Sequence, residues 1–323
     1  MNTIRTGLIG YGNWVRAAYV PVLNGLDDVQ VVAVSARTEA SRSAAAEALG
    51  DVTLYPDWRD LLADDSIDVV MIALPAALHA AATTAAARSG KHVFFEPPAG
   101  VDRLEADATL GALERCGQVV QCDLELRYVP AVREVRRLLE AGTFGDVLMA
   151  KVRHWCDWSR TYGDEAGSEG LFLWLGCWYL DMLDVVFEAA PSKVQVAGGR
   201  HVGEHLFDHG YALLRYPDHR LGVYELNLVA AAGTEILLHV TASGGEIVVD
   251  VSTGVCRQRK TGNEQWETTT IPTMQPVHGF VGMAESIHDF FKAIRDGQTP
   301  LADVVATRRV HEAALRCREA EGN

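Results

Sequence analysis

The sequence predicts an α/β fold in two parts: a doubly wound parallel sheet over residues 1–123, then an α+β domain over residues 124–323 with a large open, mostly antiparallel sheet. Three observations carry this. Short runs apolar on both faces alternate with Ala-rich helical stretches as far as Cys122, the pattern of a parallel sheet covered on both sides. Beyond Cys122 strand-like runs are separated by hairpin signals. The 323 residues also exceed the roughly 250–300 at which a single core stops growing.

In chain order, Arg5–Ile9, Val29–Ser35, Val69–Leu74, His92–Phe95 and Val119–Cys122 are the expected parallel strands. Between them Trp14–Leu23, Glu39–Leu49, Leu78–Arg88 and Arg103–Arg115 are long enough for crossover helices. In the second part the helical stretches are Ala131–Ala141 and Leu171–Phe187. Strand-like runs follow at Val194–Ala197, Tyr211–Tyr216, Leu221–Leu228, Glu235–Val240 and Glu246–Val251, spaced by Pro-Asp, Ala-Gly and Gly-Gly. Gly279–Arg295 and Leu301–Glu319 return to a helical period, and these last helices are placed to pack back on the first domain.

Composition narrows the function classes. Hydrophobic residues are 48% and charged residues 22%, the balance of a soluble globular chain. Lys+Arg 29 against Asp+Glu 43 gives −14, so the mean field repels nucleic acid and anionic membranes. No apolar stretch approaches the roughly 18 residues of a membrane span, and Met1–Tyr11 lacks a signal-peptide pattern, so a cytoplasmic protein is expected. Six cysteines without a C-x-x-C pair argue against a disulfide framework and a structural zinc site. His201, His205, His209 and His219 with Glu204 and Asp208 lack a ligand pair on a regular element, so no metal is expected.

The chemistry begins at Leu8-Ile9-Gly10-Tyr11-Gly12-Asn13-Trp14-Val15, which closes the first strand and opens the first helix. A dinucleotide's pyrophosphate meets free backbone N–H groups and the positive helix end at such a turn. Gly10 permits the turn, Gly12 lets the backbone approach, and Val15 at the third glycine position implies looser helix–strand packing. A tight turn also wants glycine for steric reasons alone. The second strand ends Val34-Ser35-Ala36-Arg37-Thr38, with no acid to hold the ribose of NAD. Arg37 with the Ser35 and Thr38 hydroxyls, and Arg42 a turn on, is instead the chemistry of a 2′-phosphate pocket, so NADP(H) is favoured over NAD(H).

Gly10-x-Gly12, Asp68-Val-Val-Met-Ile-Ala-Leu74-Pro75 with His79, and Gly90-Lys91-His92-Val-Phe-Phe-Glu96-Pro97-Pro98 together resemble the Gfo/Idh/MocA oxidoreductases. The resemblance continues through Arg127-Tyr128-x-Pro130, Gly142-x-x-Gly145, Gly176 and Asp181, nearly the whole chain. It implies an NAD(P)-binding Rossmann domain, then a domain whose open sheet forms a homo-oligomer interface, dimer or tetramer. It also implies that Gly10, Gly12, Asn13, Trp14, Leu74, Pro75, His79, Glu96 and Pro97 line the cofactor, with Glu96 near its ribose. A cis peptide before Pro97 or Pro98 is compatible with this loop.

The sequence departs from the family at the reacting centre. Where the family's E-K-P loop supplies a lysine, the chain has Glu96-Pro97-Pro98. Where its helix supplies an acid/base histidine, the run is Trp174-Leu-Gly-Cys-Trp178-Tyr179-Leu-Asp181, with 174, 178 and 181 on one helical face. An indole N–H neither gives nor takes a proton near neutral pH, and proton transfer by a placed side chain contributes roughly 10²–10⁴ in rate. Tyr179, His154 and Asp181 are the catalytic candidates, with Asp157 and Tyr162 nearby. Four of the seven Trp (155, 158, 174, 178) with Tyr162 and Arg127 suggest an aromatic-walled pocket for a small cyclic or sugar-like substrate, though each Trp also suits interior packing.

Three functions stay open. The first is an NADP(H)-dependent oxidoreductase acting on an imine or conjugated acceptor that needs little acid help. The second is a non-redox cyclase, dehydratase or lyase that retains a nucleotide. The third is a non-catalytic NADP-sensing or partner-binding protein. The first leads, because the glycine turn and Arg37 are kept while the proton-handling residues are not.

Overall fold

The computed structural model describes residues 3–157, 171–202, 207–231, 233–272 and 281–321. The chain divides into two compact units, Met1–Leu124 with Pro276–Thr307 and Glu125–Gln275 with Arg308–Asn323. In the first, β1 (Ile4–Ile9), β2 (Val29–Ser35), β3 (Thr53–Tyr55), β4 (Val69–Ile72), β5 (His92–Phe95) and β6 (Val120–Cys122) form one parallel sheet. The strand order is β3-β2-β1-β4-β5-β6. That order reverses between β1 and β4, which opens a crevice outside the carboxyl ends of the strands. All four residues of β4 are buried, as a sheet covered on both faces demands.

The helix expected over Trp14–Leu23 opens as a π-helical turn, Val15–Tyr19, and only then becomes α1 (Val20–Leu23). The Val20 N–H bonds to the Val15 carbonyl, one residue further back than in an α-helix. Pro21 supplies the reason: its ring would collide with the carbonyl four residues earlier in a regular turn. The wider turn buries Val15, Ala18 and Tyr19 in the core, so the bulky residue at the third glycine position is accommodated. The remaining crossovers are α2 (Glu39–Leu49), α3 (Trp58–Leu62), α4 (Ala76–Ala87) and α5 (Arg103–Glu114). β3 and α3 are additions to the elements read from the sequence; three and five residues are too few to show a period.

The second unit begins with a 3₁₀ turn, Glu125–Tyr128, and α6 (Pro130–Glu140). It continues with β7 (Val147–Trp155), α7 (Leu171–Trp174) and α8 (Gly176–Phe187). The one helix expected over Leu171–Phe187 is therefore broken at Leu175. Seven more strands follow: β8 (Lys193–Gly199), β9 (His209–Arg215), β10 (Leu221–Asn227), β11 (Glu235–Ala242), β12 (Gly245–Asp250), β13 (Val255–Lys260) and β14 (Glu267–Thr270). They join β7 in the order β14-β13-β12-β11-β7-β10-β9-β8. All neighbours are antiparallel except β7 and β10. β7, absent from the strands read in sequence, lies at the centre. Its outward side chains Lys151 and Arg153 hid the alternation, and both are drawn onto the sheet by Glu225 of β10.

The last helices are α9 (Met283–Asp296) and α10 (Val304–Glu321). α9 belongs to the first unit's core, where Phe290 lies 5.4 Å from Phe94, itself edge-on to Tyr19 at 5.6 Å. Aromatic pairs of this kind add about 0.5–1.5 kcal/mol beyond the area they bury.

At the turn after β1, Gly10 has φ +98°, a conformation L side chains rarely adopt. A Cβ there would also overlap the Ala73 carbonyl just past β4. We expect Gly10→Ala to lower the unfolding free energy by at least about 2 kcal/mol. Urea titration would read this as a lower midpoint; an unchanged midpoint would mean that the turn relaxes.

Candidate functional site

In the first unit the switch-point crevice is lined from three strand ends. The Gly10 N–H donates to the Ser35 carbonyl at 2.9 Å and the Ala73 N–H to that of Ile9 at 3.0 Å, which locks the turn between β2 and β4. Gly12 faces open space, with nothing within 4 Å of where a Cβ would stand. Asn13 is exposed and its carbonyl oxygen accepts from Arg16. The Tyr11 hydroxyl is buried with no hydrogen-bond partner among the described residues. An open glycine at a helix entrance is the space a pyrophosphate requires, so these residues fit a dinucleotide.

At the end of β2 Ser35 is buried, while Arg37 and Thr38 are exposed. Thr38 is the N-cap of α2, accepting from the Ser41 N–H at 3.2 Å and donating to the Ser41 hydroxyl at 2.8 Å. Arg42 Nη1 donates to the carbonyls of Ala36 and Arg37 at 2.7 and 2.9 Å. This pins the backbone that presents the Arg37 side chain to solvent. Arg42 therefore shapes the loop from its carbonyl side.

The ends of β4 and β5 are joined by His79 on α4. Its Nε2 accepts from the Leu74 N–H at 3.1 Å, so Nδ1 carries the hydrogen and donates to the Pro98 carbonyl at 3.3 Å. Burial pushes this imidazole down to about 4, so it is neutral. Leu74 is half-buried, Pro75 is exposed at the start of α4, and Pro97 is buried with a cis bond to Pro98. Glu96, buried beside them, accepts at Oε1 from the Trp14 indole at 2.6 Å and the Tyr19 hydroxyl at 2.5 Å. Asp123 follows β6 beside it, its N–H donating to the Phe95 carbonyl at 2.8 Å. Burial pushes the Glu96 carboxyl up to about 7, against the pull of the Tyr19 and Trp14 hydrogen bonds. Asp123 Oδ1 in turn accepts from the Ser286 hydroxyl at 2.8 Å, and Gln121 Nε2 donates to Ser286 Oγ and O at 3.0 and 2.9 Å. Sequence reasoning missed Tyr19, Asp123, Gln121 and Ser286. The available signal was a pair of polar residues bracketing Cys122 at the end of a buried strand.

The second unit holds the other candidates. On α8 Tyr179 stacks on His154 of β7, centroids 3.7 Å apart, and on Tyr224 of β10 at 5.8 Å. The Tyr224 hydroxyl lies 3.3 Å from His154 Nδ1. All three are buried; burial pushes His154 down to about 3 and Tyr179 well above its usual value. Asp181 spans Arg127 with both carboxylate oxygens, at 3.2 and 3.1 Å from Nε. Arg127 also reaches Asp184 at 3.3 Å, and Arg309 holds Asp184 at 2.6 and 2.9 Å. Arg127, expected to line a substrate pocket, thus belongs to a buried chain of alternating charges in which removing one partner costs about 3–5 kcal/mol. Neither His154 nor Tyr179 is poised to exchange a proton near neutral pH, and Asp181 is occupied by its guanidinium.

Strand alternation separates Trp155 from this group. Ala150, Val152 and His154 are buried on one face of β7, while Trp155 lies on the other with the Arg153 guanidinium 4.5 Å above its ring. The indole nitrogens of Trp155 and Trp178 are buried and have no acceptor among the described residues. Trp158 and Tyr162 lie outside the described residues, as does the side chain of Trp174.

A family model described as an oxidoreductase family with an NAD-binding Rossmann fold matches residues 4–124, and the GFO/IDH/MocA C-terminal domain matches residues 132–248. The chain belongs to the Gfo/Idh/MocA oxidoreductase family. An uncharacterized oxidoreductase of Rhizobium meliloti is 28% identical over 199 residues, 60% of this chain and 59% of the relative. Inositol 2-dehydrogenase 1 of Saccharopolyspora erythraea is 32% identical over 156 residues, 47% of this chain and 46% of the relative. A trans-1,2-dihydrobenzene-1,2-diol dehydrogenase of Macaca fascicularis is 26% identical over 232 residues, 70% and 69% of the two chains. The chain thus spans less than two thirds of the first and second of these relatives. Levoglucosan dehydrogenase in complex with NADH and levoglucosan shares the fold at TM-score 0.87 and 21% identity, over 99% of this chain and 98% of that one. This Gfo/Idh/MocA member accordingly carries the family's NAD-binding Rossmann domain in its first unit.

Acid sensitivity follows from the two buried imidazoles. Both have native values below the ordinary 6.5, about 4 for His79 and about 3 for His154, so the unfolded chain binds protons that the folded chain does not. Their contribution to stability is complete above pH 6.5 and is lost as pH falls toward those values. The slope is about 1.4 kcal/mol per pH unit for each histidine. Urea unfolding of His154→Phe across this window should be shallower in pH than the parent by one histidine's share; equal slopes would refute the assignment.

Proposed function

We propose that the chain is an NADP(H)-dependent oxidoreductase that transfers hydride to or from a small cyclic or sugar-like substrate, with an imine or conjugated acceptor preferred. The observation that carries the reading is the end of β2, where exposed Arg37 stands on a backbone pinned by Arg42 and no acid is present to hold a ribose diol. A guanidinium can bind a 2′-phosphate with two charge-assisted hydrogen bonds, worth about 1.5–3 kcal/mol each. When bound, the nicotinamide supplies or accepts the hydride. The protein's residues orient it: Gly10, Gly12, Asn13 and Trp14 at the pyrophosphate turn, Ser35, Arg37 and Thr38 at the adenosine side, and Leu74, Pro75 and Pro97 where β4 and β5 end.

The acceptor preference rests on proton handling. Pro97 stands where the resemblance expects a lysine, and neither His154 nor Tyr179 is tuned to donate at neutral pH. An imine that is already protonated needs no acid during hydride transfer, whereas a simple ketone does. The Trp178 indole N–H, buried without an acceptor among the described residues, suits an oxygen or nitrogen atom of the ligand. We also infer homo-oligomer formation through the outward face of the large sheet, where Met149, Tyr211 and Leu213 are exposed on one face. Among the described residues no helix is long and apolar enough to cross a membrane, and we place the enzyme in the cytoplasm.

Calorimetric titration tests the cofactor choice. NADP⁺ should bind more tightly than NAD⁺, and Arg37→Gln should weaken NADP⁺ by about 10–100-fold while leaving NAD⁺ nearly unchanged. Equal losses for both nucleotides would sink the phosphate assignment. Consumption of NADPH with a cyclic imine or enone, and none with simple sugars, is the expected activity; product formed without any change in cofactor redox state would favour the non-redox reading.

A further inference from the structure

We propose that His79 is a positioning residue, whose imidazole stands in for the next rungs of the sheet between β4 and β5 and fixes two proline turns at the spacing that the nicotinamide half of the cofactor requires. The inference deepens the oxidoreductase reading above and rests on its placement of the nicotinamide, not on the choice between NADP(H) and NAD(H).

The end of the ladder shows the substitution. β4 and β5 pair in parallel as far as Ile72 and Phe95, and the Glu96 N–H donates to the Ile72 carbonyl at 3.0 Å. In that register the Leu74 N–H would next reach the Glu96 carbonyl, and the N–H of residue 98 would reach the Leu74 carbonyl. Pro98 has no N–H to give, and the flanking Pro97 and Pro75 have none either. The Leu74 N–H donates instead to His79 Nε2 at 3.1 Å, and His79 Nδ1 donates to the Pro98 carbonyl at 3.3 Å. One ring thus links the two residues, 74 and 98, that the missing rung would have joined.

The ring has one way to do this. Nε2 must accept, because a backbone N–H faces it, and Nδ1 must donate, because a carbonyl does; only the neutral Nδ1–H tautomer serves both. His79 is 3% exposed and both nitrogens are spent inside the protein, so it acts on the cofactor through its neighbours. α4 begins at Ala76, directly after Pro75, and a helical side chain at 79 leans back over that first turn toward the strand ends. With the adenosine at the end of β2 and the pyrophosphate at the turn after β1, the other half of a dinucleotide runs toward the ends of β4 and β5. Leu74–Pro75 and Pro97–Pro98 are the backbone it meets there, and a displacement of about 1 Å at a reacting centre costs up to about 10²-fold in rate.

The test separates the nicotinamide half from the rest of the cofactor. Calorimetry on the whole chain measures the affinity gained on going from 2′-phospho-ADP-ribose to NADPH, and from ADP-ribose to NADH. His79→Leu should bind both fragments as the parent does and lose about 3–10-fold of the gain. His79→Asn, whose amide nitrogen can replace Nδ1, and His79→Gln, whose amide oxygen can replace Nε2, should each lose less. On any acceptor the parent reduces, His79→Leu should lower kcat by up to about 10²-fold with little change in the KM for that acceptor. A residue that merely capped α4 would lower the urea midpoint when replaced and leave the nicotinamide gain intact. Nitrogen-15 spectra of the unsubstituted protein should show the Nδ1–H tautomer at His79, with both ring resonances shifted by the reduced dinucleotide and unmoved by the fragment. An Nε2–H tautomer, ring resonances that answer to fragment and dinucleotide alike, or a full nicotinamide gain in folded His79→Leu would overturn the proposal. If the parent itself gains nothing from the nicotinamide half, the placement of that half fails and this inference with it; a gain in the parent that every variant keeps sinks this inference alone. If His79→Leu does not fold, the Asn and Gln variants and the spectra of the parent decide.

Discussion

The first unit is organised around the close approach of Gly10 to the Ala73 carbonyl, where the ends of β1 and β4 meet at the point of reversed strand order. No side chain fits in that gap, so the turn passes it in a left-handed conformation that glycine alone adopts without strain. Its N–H is held by Ser35 of β2. That anchoring aims the following helix entrance at the crevice and leaves Gly12 open. The five-residue turn ahead of Pro21 then sets Trp14 and Tyr19 over the end of β5, where both donate to Glu96. A backbone constraint on one residue is thus transmitted to a carboxyl more than eighty positions away.

The distribution of ionisable groups differs between the two units. In the second, charge is neutralised internally: Asp181, Arg127, Asp184 and Arg309 alternate in sign, and His154 is neutral within an aromatic stack. Such an arrangement gives conformational definition, and burial raises the Asp181 carboxyl to about 6 although Arg127 holds it. In the first unit, burial pushes the Glu96 carboxyl up to about 7, against the pull of the Tyr19 and Trp14 hydrogen bonds. A group whose environment sets its proton affinity close to the ambient value is the kind that acid–base chemistry uses.

Much of this was legible in local pattern. Apolar runs of four to seven residues separated by helical stretches announced the parallel sheet, and Gly10-x-Gly12 announced the turn at its switch point. What escaped notice was less periodic or depended on partners. β7 carries Lys151 and Arg153 on its outward face, and nothing in their neighbours shows that Glu225 will neutralise them from an adjacent strand. β14 is exposed along its whole length and offers no apolar signal. The helix read over Leu171–Phe187 is two, separated at Leu175, which no break in the apolar run marks.

By itself the sequence determined the two-sheet architecture, the glycine turn and the absence of a lysine beside Glu96, because these depend on residue type and short spacing. Only the tertiary structure decided what the polar residues do. Glu96 and Asp123 are far apart in sequence until parallel pairing of β5 and β6 brings their strand ends together, and Ser286 arrives from a helix near the end of the chain. Proton affinity is set by burial and neighbours, and both are properties of packing that no local pattern encodes.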